Sequence, residues 1–582
     1  MYLVSSCKSD KHLHQVQTQI ITSGFEQSDY IAPGIVAVCG QLKKLAYAHK
    51  VFDRITQPNV SLWNAMFKSY AQNERYREVI VLFSKMIKMD VMPNCFTFPI
   101  VLKSCLRTNA IREGVEVHCF VIKGGFRANQ FVGTALIDMY SGGELIGAAY
   151  RVFSEMIDRN VVAWTSMING YILCGDIVSA RRLFELAPER DVVLWNTMIS
   201  GYIESWNMAE ASKLFDQMPM KDVMSWNTVL NGYANNGDIE ACERLFEKMP
   251  ERNVFSWNGL IGGYARNGRF CEVLDAFTSM LVDKNVLPND ATLVAVLSAC
   301  ARLGSLDLGK WIHIYAEKNG YKGNVYVTNA LIDMYAKCGA IEIALYVFKG
   351  MERKDLISWN TIITGLAMHG HGAAALSLFH EMKNVSVKPD GITFIGVLCA
   401  CTHMGLVDDG LSYFQSMVDD CSIVPQIEHY GCLVDLLSRA GLLVQAVEFV
   451  KKMPMEADAI IWAALLGACR VYKNVELAEL ALQHLIQLEP KNPANFVMLS
   501  NLYGHLGRWK DVARLKVAMR DTGFKKLPGC SLIEVNDTLF EFYSLDERHP
   551  KTETTYRTLR GLTKLLRSSG YVPDLKELGQ EA

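Results

Sequence analysis

One pattern of apolar and polar positions recurs along the middle of the chain. It reads VVAWTSMINGY from Val161, VVLWNTMISGY from Val192, VMSWNTVLNGY from Val223 and VFSWNGLIGGY from Val254. The four copies follow one another at intervals of 31 residues. A fixed period of this size is typical of proteins built from stacked helical repeats.

Each copy belongs to a unit with two amphipathic helical segments. In the unit 192–222, apolar side chains recur at the i, i+3, i+4, i+7 spacing of a helix in both halves, first as Trp195, Met198, Ile199 and Tyr202 and then as Ala211, Leu214, Phe215 and Met218. Neighbouring units have a glycine at the break, where the end of a helix favours a left-handed residue; these are Gly175, Gly237, Gly268, Gly339 and Gly370. Because a single hairpin leaves its apolar stripe exposed, neighbouring hairpins must stack. The pattern predicts an all-α solenoid with a groove along it.

Units of this kind, of variable length, fill residues 60–458, after degenerate repeats over residues 1–59. We place them at 60–94, 95–129, 130–160, 161–191, 192–222, 223–253, 254–289, 290–324, 325–355, 356–390, 391–426 and 427–458. Some units carry the tryptophan pattern and end in Pro-Asn or Pro-Asp, whereas others have no polar residue at the fifth place. The cycle of long and short units is a second regularity of the chain.

Composition excludes several classes of protein. Of the 582 residues, 50% are hydrophobic and 21% are charged, which does not fit a disordered chain. The formal net charge is −2, so the basic surplus usual in nucleic-acid-binding proteins is absent from the chain as a whole. No apolar run approaches the roughly 18 residues of a membrane span. Any binding of nucleic acid must therefore depend on particular side chains rather than on bulk charge.

A short polar residue stands at the fifth place of most units, and another closes the unit. If the tryptophan faces the neighbouring hairpin, the next side chain is rotated by about 100°, toward the groove, and the last residue of the unit lies near the same place. The pairs are Asn64 with Asn94, Thr134 with Asn160, Thr165 with Asp191, Asn196 with Asp222, Asn227 with Asn253, Asn258 with Asn289, Asn329 with Asp355 and Asn360 with Asp390. The last residues could instead be helix N-caps, for which Asn and Asp are suited. A cap does not account for the polar residue at the fifth place.

Four stretches carry a resemblance to a known family: VYVTNALIDMYAKCGAIEIALYVFKGM, ISWNTIITGLAMHGHGAAALSLFHEM, ITFIGVLCACTHMGLVDDGLSYF and IEHYGCLVDLLSRAGLLVQAVEFVKKMP. They resemble plant pentatricopeptide repeat (PPR) proteins of the PLS class, in which P, L and S motifs alternate. The resemblance covers nearly the whole chain. It implies a right-handed α-solenoid of stacked helix-turn-helix repeats with a small β-hairpin-plus-helix extension at the carboxy terminus. It also implies that the fifth and last residues of each repeat read one RNA base.

Hydrogen-bond chemistry then assigns bases to the pairs. An ionised Asp only accepts hydrogen bonds and suits the ring N–H of U or G, whereas Asn also donates and suits C or A. At the fifth place Asn fits a pyrimidine, and the shorter Thr leaves room for a purine. Thr165 with Asp191 should therefore read G, Thr134 with Asn160 should read A, the three Asn/Asp units should read U, and the three Asn/Asn units should read C or U.

Four units have no base-reading side chain at the fifth place, where Pro99, Val294, Ile395 and Gly431 stand. With the parallel polarity typical of the family, the expected target is 5′-Y-n-A-G-U-Y-Y-n-U-U-n-n-3′, where Y is a pyrimidine and n is any base.

The second residues of the units are mostly apolar. They are Val162, Val193, Met224, Phe255, Tyr326 and Ile357. Side chains of this kind could sandwich the bases and hold a single strand without a strong basic patch. The alternative is that they pack in the core.

The carboxy-terminal part has a different pattern. Residues 459–525 contain two hairpins similar to tetratricopeptide repeats and resemble the family's E region. Residues 526–574 resemble the E+ extension, in which alternation on both sides of Asn536 and Asp537 predicts a β-hairpin before a helix over about 553–568. Residues 575–582 form a short tail. In the family this extension leads into a DYW cytidine deaminase domain, whose zinc site needs HxE and CxxC motifs, and neither motif occurs in the chain.

The resemblance therefore implies a non-enzymatic, sequence-specific factor that binds single-stranded RNA and selects C-to-U editing sites in plant organelle transcripts. A DYW-type deaminase subunit would act in trans through the E and E+ regions, with other editing-complex proteins, and no cofactor, metal or membrane is expected. Two alternatives stay open, namely an organelle RNA splicing, stabilisation or translation factor and a protein-binding helical scaffold. The amino terminus shows no evident targeting peptide, and family frequency favours the mitochondrion over the chloroplast.

Overall fold

The structure, a computed structural model, describes residues 30–283, 286–490, 492–521, 530–535, 538–543 and 552–569. The chain divides into two compact units, Met1–Asn267 and Gly268–Ala582. Each unit is an ordered stack of helical hairpins.

The amino-terminal unit contains alternating first and second helices of successive hairpins. They are Ile31–Gln41, Leu45–Asp53, Val60–Gln72, Tyr76–Lys88, Thr97–Arg107, Ile111–Lys123, Gln130–Gly142, Ile146–Glu155, Val161–Leu173, Ile177–Leu186, Val192–Glu204, Met208–Gln217, Val223–Asn236, Ile239–Lys248 and Val254–Arg266, with a short 3-10 helix at Phe126–Ala128.

The carboxy-terminal unit continues the alternation. Its helices are Phe270–Val282, Asp290–Leu303, Leu306–Lys318, Val325–Lys337, Ile341–Lys349, Leu356–Met368, Gly372–Asn384, Gly391–Met404, Val407–Asp419, Ile427–Arg439, Leu443–Lys452, Ala459–Tyr472, Val475–Leu488, Pro493–His505, Trp509–Asp521 and Thr552–Ser568.

Two antiparallel strands, Cys530–Val535 and Thr538–Tyr543, precede the last helix of this unit. Cys530 lies opposite Tyr543, and Val535 lies opposite Thr538. Asn536 and Asp537, the expected turn, lie outside the described residues.

Within each unit, a first helix packs on its own second helix and on the first helix of the next hairpin. Helix Val161–Leu173, for example, contacts both Ile177–Leu186 and Val192–Glu204. The apolar positions predicted for the unit 192–222 are all buried, with Met198, Ile199 and Ala211 fully enclosed. The predicted all-α solenoid is therefore confirmed.

Glycine allows both the tight turns and the close approach of neighbouring first helices. The five glycines predicted at the breaks all have positive φ, from 73° at Gly268 to 82° at Gly339, as a left-handed helix end requires. A Cβ atom added to Gly365 would lie 2.9 Å from the Cβ of Ala336 on the preceding first helix. A larger residue there would separate the two helices.

The tryptophans join each hairpin to the one before it. The ring of Trp164 meets Phe153 edge-on at 4.9 Å between centroids, and Trp195 meets Phe184 at the same distance. The contact recurs at Trp63, Trp226, Trp257 and Trp359. Edge-to-face pairs of this kind contribute about 0.5–1.5 kcal/mol beyond the burial of their surface.

A basic residue also lies over the ring of this phenylalanine. The Arg190 guanidinium lies 5.1 Å from the Phe184 ring centroid and donates hydrogen bonds to the carbonyls of Phe184 and Glu185, at 2.8 and 2.7 Å. It thereby satisfies carbonyl groups at the end of the second helix. Arg159, Lys221, Arg252 and Lys354 lie over the corresponding rings.

Among the described residues, no helix has both the length and the apolar character needed to cross a lipid bilayer.

We expect replacement of Trp195 by alanine to destabilise the stack, because its side chain is only 9% exposed and packs on Phe184. The expected loss in the free energy of unfolding is roughly 3–5 kcal/mol, as for other buried aromatic side chains. The measurement is urea unfolding followed by circular dichroism. Trp206, in the same repeat and 74% exposed, gives the matched control Trp206→Ala. Equal unfolding midpoints for the two variants would contradict a structural role for Trp195.

Candidate nucleic-acid interface

The last residue of a repeat caps the first helix of the next repeat. Asn160 Oδ1 accepts a hydrogen bond from the Ala163 amide at 2.9 Å, and Asp191 Oδ1 accepts one from the Leu194 amide at 2.8 Å. Asp222, Asn253, Asn289, Asp355 and Asp390 are N-caps in the same way. Asn94 accepts from the amides of Phe96 and Thr97. The N-cap interpretation is therefore correct for these residues except Asn94, which bonds to the first amides of a helix whose N-cap is Phe96.

The fifth residue donates to the same oxygen atom that forms the cap. Its amide nitrogen Nδ2 lies 3.1 Å from Oδ1 of the last residue in the pair Asn64/Asn94, 3.3 Å in Asn227/Asn253, 3.2 Å in Asn329/Asp355 and 2.9 Å in Asn360/Asp390. The structure thus brings these predicted partners together. The cap and the pairing do not compete, because one oxygen accepts both bonds.

This shared oxygen determines which group of the last residue takes no part in these bonds. In Asp355 and Asp390 the cap and pair bonds all end on Oδ1, so the remaining group is the acceptor Oδ2. In Asn94 and Asn253 the remaining group is the donor Nδ2. An amide nitrogen cannot accept a helix N–H, so the cap fixes the orientation of the Asn side chain. At this place Asp and Asn therefore differ only in the polar group outside these bonds, which is an acceptor in Asp and a donor in Asn.

The threonine pairs are arranged differently. Thr134 Oγ1 donates to the Gln130 carbonyl at 2.9 Å, and Thr165 Oγ1 donates to the Val161 carbonyl at 2.8 Å, each within its own helix. Asn160 Nδ2 lies 3.3 Å from Gln130 Oε1. The threonine hydroxyl is too short to hold the last residue as an asparagine does, which leaves space beside the cap. Asn258 lies in the amino-terminal unit, and Asn289 lies in the carboxy-terminal unit.

Hydrogen bonds at the repeat boundary keep two carboxylates ionised. Burial raises the pKa of Asp222, but the bonds from the Ser225 hydroxyl and amide and from Asn196 outweigh burial and lower the pKa below its ordinary value. At Asp355 burial again raises the pKa, and the bonds led by that from the Ser358 hydroxyl lower it overall. Both groups are therefore ionised at neutral pH and only accept hydrogen bonds.

The apolar second residues project into solvent. Their exposed fractions are 59% for Val162 and Val193, 68% for Met224, 65% for Phe255, 69% for Tyr326 and 55% for Ile357. The alternative that they pack in the core is wrong. Phe131 is 75% exposed at the equivalent place in the repeat with Thr134 and Asn160. It was not among the predicted second residues, although its position in the repeat would have identified it.

Residues from four successive repeats, 60–94 to 161–191, line one groove in the amino-terminal unit. The groove has a volume of about 1480 Å³, and its lining includes Asn64, Phe131, Thr134, Asn160 and Val162. Lys68, Lys103 and Arg107 also line it. These basic residues were missed because the near-zero net charge of the whole chain conceals a local positive cluster.

A second hollow lies farther along the same unit. It measures about 300 Å³ and is lined by Val193, Asn196, Asp222 and Met224, among others. The fifth, last and second residues of adjacent repeats therefore converge on one surface. In the part of the chain that the structure describes, no group of three or more His, Cys, Asp or Glu side chains is arranged to hold a metal ion.

Sequence models of known families match most of the repeat region. The PPR repeat family model matches residues 58–107, 221–255 and 354–403. The PPR repeat model matches residues 134–161, 162–192, 193–223, 255–284, 326–356, 392–421 and 428–456. The E motif model matches residues 472–534.

Several plant proteins are similar along almost the whole chain. The chain is 46% identical over 559 residues to pentatricopeptide repeat-containing protein At3g29230 of Arabidopsis thaliana, covering 96% of this chain and 93% of that protein. It is 40% identical over 544 residues to At2g20540 from the same plant, with coverage of 93% and 90%. It is 39% identical over 626 aligned residues to At1g08070, chloroplastic, also from Arabidopsis, with coverage of 100% and 84%.

A solved structure has a similar fold. It is the pentatricopeptide repeat protein PPR10 in complex with an 18-nt psaJ RNA element, with a TM-score of 0.50, 16% identity and 85% of each chain covered. Given relatives of this similarity along nearly the whole chain and the E motif match, the protein belongs to the plant pentatricopeptide repeat family, in its E subgroup.

Proposed function

We propose that this protein is a sequence-specific factor that binds single-stranded RNA and selects sites of C-to-U editing in plant organelle transcripts. The repeats would choose the site, and the E region with its extension would recruit a cytidine deaminase in trans. The mitochondrion is our first expectation for its location and the chloroplast is the alternative, since some relatives are named chloroplastic.

The main support for this proposal is that the two polar groups of the last residue have different roles. Its Oδ1 atom caps a helix, and its other polar group, an acceptor in Asp355 and a donor in Asn253, takes no part in that cap. A helix needs only the cap, and Asn and Asp cap equally well. An alternation between donor and acceptor at this place is therefore not required for folding, and it fits the ring edges of RNA bases.

The surroundings of these groups suit a single strand. The exposed second residues, such as Phe131 and Tyr326, offer apolar surfaces on which bases could stack. Lys68, Lys103 and Arg107 line the groove and could neutralise phosphates. These features favour RNA over the alternative of a protein-binding scaffold.

The E motif favours editing over splicing, stabilisation or translation. It matches residues 472–534, which lie beyond the base-reading repeats. In the family this region precedes a deaminase domain. The proposed partner in trans is a DYW-type deaminase subunit, together with other proteins of the editing complex.

Sequencing of organelle transcripts from a null mutant tests the proposed function directly. We expect editing to be lost at one or a few cytidines that follow a sequence compatible with 5′-Y-n-A-G-U-Y-Y-n-U-U-n-n-3′. Normal editing together with an unspliced or unstable transcript would favour the alternative function.

The register of the repeats predicts how the protein responds when A and G are exchanged in this RNA. In the exchanged RNA the ring acceptor of A would face the carboxylate of Asp191, and the ring N–H of G would face the amide donor of Asn160. Because each mismatch leaves polar groups unpaired, we expect affinity to fall about tenfold or more. Binding is measured by fluorescence anisotropy with a labelled RNA. Unchanged affinity would show that the register is wrong.

Replacement of Asp222 by asparagine should change one base preference and preserve the fold. Asparagine keeps the Oδ1 atom that accepts from the Ser225 amide, but it replaces the second oxygen with a donor. We expect the preference at this base to move from U toward C, with little change in melting temperature. Asp216→Asn, on the exposed side of the second helix in the same repeat, is the control for the charge change. A shift that also occurs in the control would assign the effect to charge alone.

A further inference from the structure

Repeats with the same base-reading pair differ in how the fifth asparagine is held. Asn360 donates through Nδ2 to Asp390 Oδ1 at 2.9 Å, and its Oδ1 accepts a hydrogen bond from Thr393 Oγ1 at 2.6 Å. Asp390 Oδ1 lies farther from the same hydroxyl, at 2.9 Å, so the single hydroxyl proton goes to Asn360. Both ends of this amide therefore have a partner. Thr393 is the third residue of the following repeat and is fully buried.

The corresponding serine in another repeat makes no such bond. Asn329 donates to Asp355 at 3.2 Å, but Ser358 Oγ bonds to Asp355 Oδ1 at 2.7 Å. Asn329 Oδ1 is buried and has no hydrogen-bond partner among the described residues. The two asparagines are equally enclosed, with 7% of Asn329 and 6% of Asn360 exposed, so the difference does not come from burial.

The two Asn/Asn pairs of the amino-terminal unit divide in the same way. Thr97 Oγ1 donates to Asn64 Oδ1 at 2.8 Å, which is nearer than Asn94 Oδ1 at 3.1 Å. In contrast, Ser256 Oγ bonds to Asn253 Oδ1 at 3.2 Å, and Asn227 Oδ1 is buried without a partner in the part of the chain that the structure describes. The presence of threonine or serine thus predicts the state of the fifth asparagine whether the last residue is Asp or Asn.

The extra bond is not needed for capping. Thr393 Oγ1 accepts from the Asp390 amide at 3.1 Å, and Ser358 Oγ accepts from the Asp355 amide at 3.2 Å. Both residues therefore complete a capping box. The threonine adds a hydrogen bond to the fifth asparagine, which is one of the two members of the base-reading pair.

We propose that Thr97 and Thr393 are positioning residues for base recognition. Each threonine hydroxyl clamps the fifth asparagine, Asn64 or Asn360, in the orientation that admits a pyrimidine and excludes the larger purine. A clamped side chain loses no freedom when RNA binds, and it cannot turn aside for a wrong base. The clamped repeats therefore discriminate against purines more strictly than the repeats of Asn227 and Asn329. This inference rests on the proposed RNA recognition.

The experiment compares base discrimination in the full-length protein with and without the clamp. The probe is a labelled RNA of the expected sequence with U or A opposite Asn360, and the quantity is the ratio of the two dissociation constants. In Thr393→Val, which keeps the shape but removes the hydroxyl, we expect this ratio to fall roughly three- to tenfold, as the loss of one hydrogen bond implies. Thr393→Ser should also lower the ratio, because the serines at this place bond to the last residue of the repeat and not to the fifth asparagine.

Ser358→Ala is the matched control because it removes a capping hydroxyl that does not bond to Asn329. The ratio measured opposite Asn329 should be unchanged in this variant. Thr97→Val and Ser256→Ala form the same comparison in the amino-terminal unit and decide the question if Thr393→Val does not fold. Circular dichroism of each variant reports folding.

Three outcomes would overturn the clamp. One is an equal fall in the ratio for Thr393→Val and Ser358→Ala, which would assign the effect to capping. Another is a uniform loss of affinity with an unchanged ratio, which would assign it to stability. If the unmodified protein binds RNA without preference opposite Asn329 and Asn360, the proposed base reading fails and the clamp fails with it.

Discussion

One oxygen atom at each repeat boundary connects the fold to the candidate site. Oδ1 of the last residue accepts the amide of the next helix and, in four pairs, the side-chain amide of the fifth residue, as at Asp390. Because Asn and Asp are nearly equivalent as caps, exchange between them costs little stability. The identity of the second polar group can therefore vary from repeat to repeat while the stack is preserved.

The residue before the cap fixes the position of this oxygen. Arg190 bonds to the carbonyls that end one hairpin, while Asp191 bonds to the amide of Leu194 that begins the next. Arg190 thus satisfies carbonyl groups at the carboxyl end of one helix, and the adjacent Asp191 satisfies an amide at the amino end of the next. The contact between Phe184 and Trp195 holds the same two hairpins at their apolar faces. The linker has little freedom, so the polar groups at the boundary have a defined place.

The period and apolar spacing of the sequence were sufficient to predict the hairpins, the breaks and the four asparagine pairs that bond. They could not predict which atoms meet, because hydrogen bonds such as Asn329 to Asp355 depend on the exact approach of two helices. The distinction between Thr393 and Ser358 was invisible for the same reason. Exposed apolar residues such as Phe255 were ambiguous, since an apolar residue in the first turn of a helix fits a core as well as a surface.

The stack tolerates polar groups that a helix bundle would normally avoid. Within the described ranges of the chain, Oδ1 of Asn196, Asn227 and Asn329 is buried without a partner, and such a group costs about 1–3 kcal/mol. In the repeat 192–222 the burial of Trp195, at roughly 3–5 kcal/mol, exceeds this cost. This repeat can therefore carry an asparagine that its own fold does not satisfy. Such local conflicts are expected at functional sites, where a side chain is retained for what it binds rather than for packing.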